Sequence, residues 1–551
     1  MILTEEQLQG LLDTSLATLP PGPDWAVVLE GSIAEGFGNP SSDIDFLLVG
    51  RDEAQLPTMP SLLFVDGRRV EIRTRSVRQL ADQFASLEAG AGRPGRLSED
   101  LLNRCQRFLG SHPLRGHALV AEVKGLLRVE RFREIAGAWW AHRARQSLRH
   151  AMALDCLDES AEAADWARAG LVQTVKSWAA GRGETYLEPK WLSLQLERAG
   201  RPDVRDRYWA LDAAAGAAEG DPTAVHAYLA ECLAFAAELG VGGVPLRPER
   251  LTVERAARVT SWQTGERVHV IRDRRDVFAL GDRAGAVWRS LVLGRPLPDV
   301  RAAARATGIA DCGPLLAAFL RYGLIRLAWK GAGTVTPSLP LAAPPGPVTP
   351  PPHSAAPLLS VHGAAVSGPD GVDLVPLPAE RFAAATMALV WSNVVVENAR
   401  EDLRGALQRG QWKVAELTAR RAVHAALRGL FSAYGVNPLP ADSDLVRRLA
   451  LLPPATRPLA GRATQLLGRA VTAPEEGERL GAELGDFVRL VRDTAGADAF
   501  PSSFDSADTW RATLELGYDW LRIGTYLDAQ LPLEEARDLV ASNGAQPHHA
   551  A

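Results

Sequence analysis

The stretch GSIAEGFGNPSSDIDFLLV, Gly31 to Val49, decides how the N-terminal part of the chain folds. Asp43 and Asp45 alternate at the start of a run that turns wholly apolar from Phe46, so a strand is predicted with both carboxylates on one face. Two like charges side by side in a half-buried strand are costly unless a cation lies between them. Oxygen donors suit Mg²⁺, which binds through one or two carboxylates and completes its shell with water and substrate phosphates. Upstream, WAVVLEGS (25–32) reads as a strand ending in Gly31-Ser32, where a helix opens. The backbone N–H groups there and the Ser32 hydroxyl can hold a phosphate. Downstream, SLLFVDG (61–67) and RRVEIRTRS (68–76) read as two strands with a hairpin turn at Asp66-Gly67. Glu71 alternates with Val70 and Ile72 in the second of them, and a neighbouring strand would set it beside the aspartates. A helix, TEEQLQGLLDTSLATL (4–19), precedes this mixed sheet, with Thr4 as its N-cap.

Outward from the sheet, the pattern is helical from about Ser98 to Leu239, including GHALVAEVKG onward from Gly116 and AADWARAGLVQTVKSWAAG (163–181). YLEPKWLSLQLERAG (186–200) breaks the run and starts a further helix with Pro189 in its first turn. A mixed segment follows. ERVHVIRD (266–273) and DVFALGD (276–282) are strands about an Arg274-Arg275 turn, three short helices span 284–323, and IRLAW (325–329) closes as a strand. Residues 331–357 are rich in Pro, Ala and Gly and read as an extended linker. Beyond it, ERFAAATMALVWSNVVVENAREDLRGALQRG (380–410) and QWKVAELTARRAVHAALRGLFSAYG (411–435) open a second helical region. Trp391, Trp412, Trp510 and Trp520 are expected in its core, and the tail from Ser542 is expected to fray. The predicted class is α+β multidomain, with units at 1–97, 98–245, 246–330 and 358–545 and a linker at 331–357.

Composition narrows the function classes. A chain of 551 residues suits three or four domains. With 61 Lys and Arg against 66 Asp and Glu, the formal charge of −5 offers no bulk attraction to nucleic acid or acidic membranes, although a local basic patch stays open. Four scattered cysteines form no CxxC pair, which argues against a structural zinc site or a disulfide framework. No run of 18 apolar residues occurs, and Glu5 and Glu6 stand where a signal peptide would be basic. No membrane span is expected, and the cytoplasm is the expected compartment.

The quoted stretch resembles the nucleotidyltransferases of the DNA polymerase β superfamily, in particular the kanamycin-type and minimal members. Their signature is Gly with Gly or Ser, about a dozen residues, then Asp-apolar-Asp-apolar. Here it reads Gly31-Ser32 and then Asp43-Ile44-Asp45-Phe46. Glu30 departs from the apolar or small residue usual before the glycine. The likeness covers about 110 residues and matches Glu71 to the third carboxylate. It implies that Asp43, Asp45 and Glu71 hold two Mg²⁺ ions, that an NTP such as ATP is the substrate, and that Gly31 and Ser32 contact its phosphates. The helical segment after the sheet looks like the helical domain of kanamycin-type enzymes, and Lys190 there can either reach a phosphate or stand solvated at a helix start. Arg145 and His150 have the spacing found in related helical ribonuclease domains, but the Arg-rich background makes that spacing weak evidence.

Residues 268–329 resemble PqqD-like domains in their order of hairpin, Trp288, Gly294, helices and the closing Tyr322-Gly323-Leu324-Ile325. Such domains bind a leader peptide as an added strand. The bland counterpart is a winged-helix packing module. Three functions are therefore open: nucleotidyl transfer to a ribosomally made peptide, nucleotidyl transfer to an aminoglycoside-like small molecule, or a non-catalytic peptide-binding scaffold. The last domain would serve homodimerisation or acceptor binding.

Overall fold

The computed structural model describes residues 3–338 and 379–495, apart from short stretches between elements, together with 523–524. The turns at Asp66-Gly67 and Arg274-Arg275, most of the Pro-rich linker, Trp510, Trp520 and the tail lie outside the described residues. The fold is mixed α and β, with small sheets and many helices.

Helix α1 (Glu5–Thr18) starts as its sequence requires: Thr4 Oγ1 accepts from the Gln7 amide at 3.1 Å while Gln7 Oε1 accepts from Thr4 N at 3.0 Å. Strands β1 (Ala26–Glu30), β2 (Ile44–Gly50), β3 (Ser61–Val65), β4 (Arg68–Ser76) and β5 (His112–Arg115) make one sheet in the order β3-β4-β2-β1-β5. The pair β2–β4 is parallel and the others are antiparallel. Between β1 and β2 lies the four-residue helix α2 (Gly31–Ala34). Alternation then distributes the side chains. Val27, Leu29, Ile44, Phe46 and Leu48 pack under α1, while Ala26, Val28, Leu47 and Val49 meet α3 (Val77–Gly90), α4 (Glu99–Leu109) and α5 (His117–Lys124). Both faces are covered, which is why the middle of β2 is continuously apolar. The unit expected to end at residue 97 thus takes its fifth strand and two covering helices from beyond it.

Helices α6 (Val129–Asp155), α7 (Ser160–Ala180), α8 (Leu192–Arg198), α9 (Pro202–Ala217) and α10 (Pro222–Glu238) follow. The mixed segment contains the expected strands and three helices, with two further strands in front. These are β6 (Leu251–Arg255) and β7 (Val259–Thr264), followed by β8 (Arg267–Arg272), β9 (Asp276–Leu280) and α11 (Asp282–Ser290). Then come β10 (Arg295–Pro296), α12 (Leu297–Ala306), α13 (Gly313–Arg321), β11 (Ile325–Trp329) and β12 (Gly333–Thr334). The sheet before the helices is β7-β8-β9, and the closing strand β11 pairs with β6 in a second sheet, β10-β6-β11-β12. Among the described residues this segment shares its core with the preceding helices: Trp288, Leu316 and Trp329 lie in one buried cluster with Leu148, Trp166 and Phe235. The expected boundary at residue 245 therefore separates sequence patterns within one packed body.

The last region comprises α14 (Ala379–Gln408), α15 (Trp412–Ala433), α16 (Leu445–Arg448), α17 (Pro458–Leu467) and α18 (Pro474–Ala495). Its core takes in Phe37, Tyr186 and Trp191, so it is docked on the loop before β2 and on the segment after α7. Trp391 was expected inside but is 62% exposed, because the buried stripe Leu389, Asn393 and Val396 turns it outward. Trp412 packs at the edge of the core. Among the described residues, no helix is long and apolar enough to cross a membrane, and the four cysteines are buried and unpaired.

Candidate metal and nucleotide site

The turn that opens the site strongly favours glycine. Gly31 has φ +79°, and a Cβ there would lie 2.3 Å from Asp45 Oδ2. Beyond α2 the chain folds back on itself, with the Ser32 carbonyl accepting from Phe37 N at 2.8 Å and Gly38 N at 2.9 Å. Ser42 Oγ accepts from Asn39 N at 2.9 Å, and Asn39 Oδ1 accepts from Ser41 N at 3.0 Å, which sets the approach to Asp43.

Register then brings the acids together. Asp45 on β2 lies opposite Glu71 on the parallel strand β4 and opposite Glu30 on β1, so three carboxylates form a row across the sheet. Asp43 stands one step along the same face. One carboxylate oxygen from each of Asp43, Asp45 and Glu71 lies within 4.8 Å of the others. An all-oxygen set of this kind fits a hard divalent cation such as Mg²⁺.

Arginines offset the crowding. Arg107 of α4 reaches Asp45 at 2.8 Å and Glu30 at 3.2 Å. Arg73 meets Glu71 at 2.7 Å and Glu30 at 3.6 Å, and Arg69 meets Asp43 at 3.2 Å. Burial pushes the Asp45 carboxyl up to about 7, with Asp43 and Glu71 adding to the rise and Arg107 opposing it. Burial also acts to raise Asp43, but Arg69, Lys190 and Arg107 outweigh it and hold that carboxyl below its usual range.

The last region borders this face through α14. Glu401 forms an ion pair with Arg69 at 3.1 Å, and Asn398 Oδ1 accepts from the same guanidinium at 3.1 Å. Lys190 is neither solvated nor free. It is buried between Asp402, at 2.5 Å, and Glu188, at 3.1 Å, and these carboxylates overcome burial to raise its ammonium. Arg421 of α15 approaches Glu188 at 3.5 Å. The fully buried Lys176 steadies this segment by donating to the carbonyls of Tyr186 and Glu188 and to Gln195 Oε1.

The structure thus brings Asp43, Asp45 and Glu71 together, with Gly31 against Asp45 and Lys190 close enough to influence Asp43. The sequence reading missed Glu30 as a member of the acid row, and it missed Arg69, Arg73, Arg107, Asn398, Glu401 and Asp402. Arg69 and Arg73 were legible, since they alternate with Glu71 on one strand face. His150 lies away from this site, 1% exposed against the edge of Trp166, with neither ring nitrogen hydrogen-bonded. A buried, unpaired histidine does not supply the ribonuclease-like chemistry that its spacing from Arg145 raised. No family model matches the chain, and no curated protein matches it in sequence.

Proposed function

We propose that the chain is a metal-dependent nucleotidyltransferase that moves an NMP from an NTP, ATP in the first instance, to an acceptor on a ribosomally made peptide. The observation that carries this reading is the convergence of Asp43, Asp45 and Glu71 behind a turn that strongly favours Gly31. Asp43 and Asp45 would hold the two Mg²⁺ ions, and Glu71 would join in holding the one nearer the acceptor hydroxyl and could take its proton. Bound divalent cations neutralise a triphosphate and stabilise in-line displacement at its α-phosphorus, in which the acceptor oxygen would form the new bond as the bond to the β-phosphate breaks and pyrophosphate leaves. Ser32 and the arginines of the face would supply dipoles and positive charge for the phosphates, while Lys190, held between Asp402 and Glu188, would act on the site through its influence on Asp43. The contacts of Asn398 and Glu401 with Arg69 favour acceptor binding over dimerisation as the role of the last region.

The peptide part of the reading rests on the sheet β7-β8-β9 followed by three helices. Among the described residues its outer strands β7 and β9 each pair on one side only, which leaves edges for strand addition, and Trp262 on β7 is 70% exposed. The core shared with α6, α7 and α10 favours the second reading, a small-molecule nucleotidyltransferase in which this segment is structural. Incubating the full chain with Mg²⁺, each NTP and either a peptide encoded beside the gene or an aminoglycoside tests both. A nucleotidyl mass increment on the peptide, absent with Asp43→Asn, supports the first reading, and an increment on the small molecule alone supports the second. An increment on neither returns the chain to a scaffold.

A further inference from the structure

Every arginine that caps a triad carboxylate also touches a carboxylate outside the triad. Arg107 spans Asp45 at 2.8 Å and Glu30 at 3.2 Å. Arg69 spans Asp43 at 3.2 Å and Glu401 at 3.1 Å. Arg73 spans Glu71 at 2.7 Å and Glu30 at 3.6 Å. The outer acids come from unrelated parts of the chain, Glu30 from the end of β1 and Glu401 from α14, yet they stand in the same relation to the triad.

We propose that Glu30 and Glu401 are positioning residues for metal uptake, the seats to which Arg107, Arg73 and Arg69 withdraw when the triad accepts a divalent cation. The inference rests on the metal-binding reading of the triad. A guanidinium about 3 Å from a ligand carboxylate occupies the oxygens the cation needs, and at that range it repels the cation. The arginine cannot simply turn to water, because the side chains of Arg107 and Arg69 are only 13% and 14% exposed. Left unpaired in that setting, the guanidinium would be strongly disfavoured. A second carboxylate already in contact lets it release Asp45 or Asp43 while keeping a partner. Asn398 gives Arg69 a further acceptor at 3.1 Å on the same side.

The test is Mn²⁺ binding to the full chain without nucleotide, followed by the loss of the free-ion paramagnetic resonance signal, with folding checked by circular dichroism. Glu30→Gln and Glu401→Gln should each weaken binding by about tenfold, since one ionic partner at this range is lost. Arg107→Gln and Arg69→Gln should tighten binding, because the competitor is gone. The deciding comparison is the double-mutant cycle. In a background lacking both arginines that Glu30 seats, Arg107→Gln with Arg73→Gln, Glu30→Gln should change affinity by less than about a third as much as in the wild type, and Glu401→Gln should be attenuated alike in the Arg69→Gln background. Equal effects with and without the arginine would make the outer acids plain contributors of negative charge and would overturn the proposal. So would affinities within twofold of wild type in both single acid variants. If the buried Glu30 variant does not fold, the Glu401–Arg69 cycle, at the junction with α14, decides alone. If the wild type binds Mn²⁺ no better than Asp43→Asn, the metal reading falls and takes this proposal with it. Wild-type binding that depends on Asp43 but ignores Glu30 and Glu401 refutes the seats alone.

Discussion

In the absence of divalent cations, Asp45→Asn should stabilise the sheet domain, and the gain should grow with pH. Asp45 titrates near 3.8 when unfolded, and burial among other acids moves it to about 7 in the fold. A carboxyl raised in this way keeps its proton in the folded state while the unfolded chain has already lost it. Stability therefore falls as pH rises from about 4 to about 7, and it stays lost above that. At 1.36 kcal/mol per pH unit, the interval of about three units sets a ceiling of roughly 4 kcal/mol. Asparagine cannot ionise, so the variant escapes this loss. Against that gain, Arg107 forfeits its contact at 2.8 Å but retains Glu30 at 3.2 Å. The net gain at pH 8 should be roughly 1–3 kcal/mol, or several degrees in the unfolding midpoint. Thermal unfolding in EDTA at pH 4.5 and pH 8 measures it, and adding Mn²⁺ at pH 8 should raise the wild type but not the variant. A variant equally destabilised at both pH values would refute the reasoning, because the Arg107 contact would then outweigh the cost of crowding three acids.

Glu71→Gln should sharply reduce nucleotidyl transfer while NTP binding, followed by calorimetry, weakens less; unchanged turnover would remove Glu71 from the site. Gly31→Ala sets a Cβ 2.3 Å from Asp45 Oδ2 at φ +79°, so a loss of about 1–3 kcal/mol and weaker Mn²⁺ binding are expected. Burial lowers His150 to about 4 from its usual 6.5, so the folded state resists a proton that the unfolded chain accepts. Stability should drop by about 3 kcal/mol as pH falls from 6.5 to 4, and His150→Leu should flatten that drop in urea unfolding. Removing residues 246–330 would strip the shared core, so the peptide reading is better tested by hydrogen exchange on the full chain. A bound leader should slow exchange along Val259–Thr264 or Asp276–Leu280, and no protection on either strand would speak for a structural module.

The primary structure by itself determined the acid motif. Period-two alternation set Asp43 and Asp45 on one face and Glu71 on one face of its own strand, and Gly31-Ser32 marked the turn before them. Those are local properties, because strand geometry converts spacing directly into facing. In the winged segment the hairpin of β8 and β9, the three short helices and the closing strand were legible for the same reason, but β6 and β7 before them were not. Tertiary structure alone decided what surrounds the acids. The register of β2 against β4 set Asp45 opposite Glu71, and the pairing of β1 with β2 added Glu30 to the row. Packing of α4 delivered Arg107, and docking of α14 delivered Asn398 and Glu401 from beyond the Pro-rich linker. Packing also merged the winged segment and the helices before it into one core, across the boundary drawn where the helical pattern turns mixed. An arginine or glutamate on a helix in an Arg-rich chain carries no mark of its partner. That partner is chosen by which apolar faces bury against each other, and the choice depends on the whole fold rather than on any window of sequence.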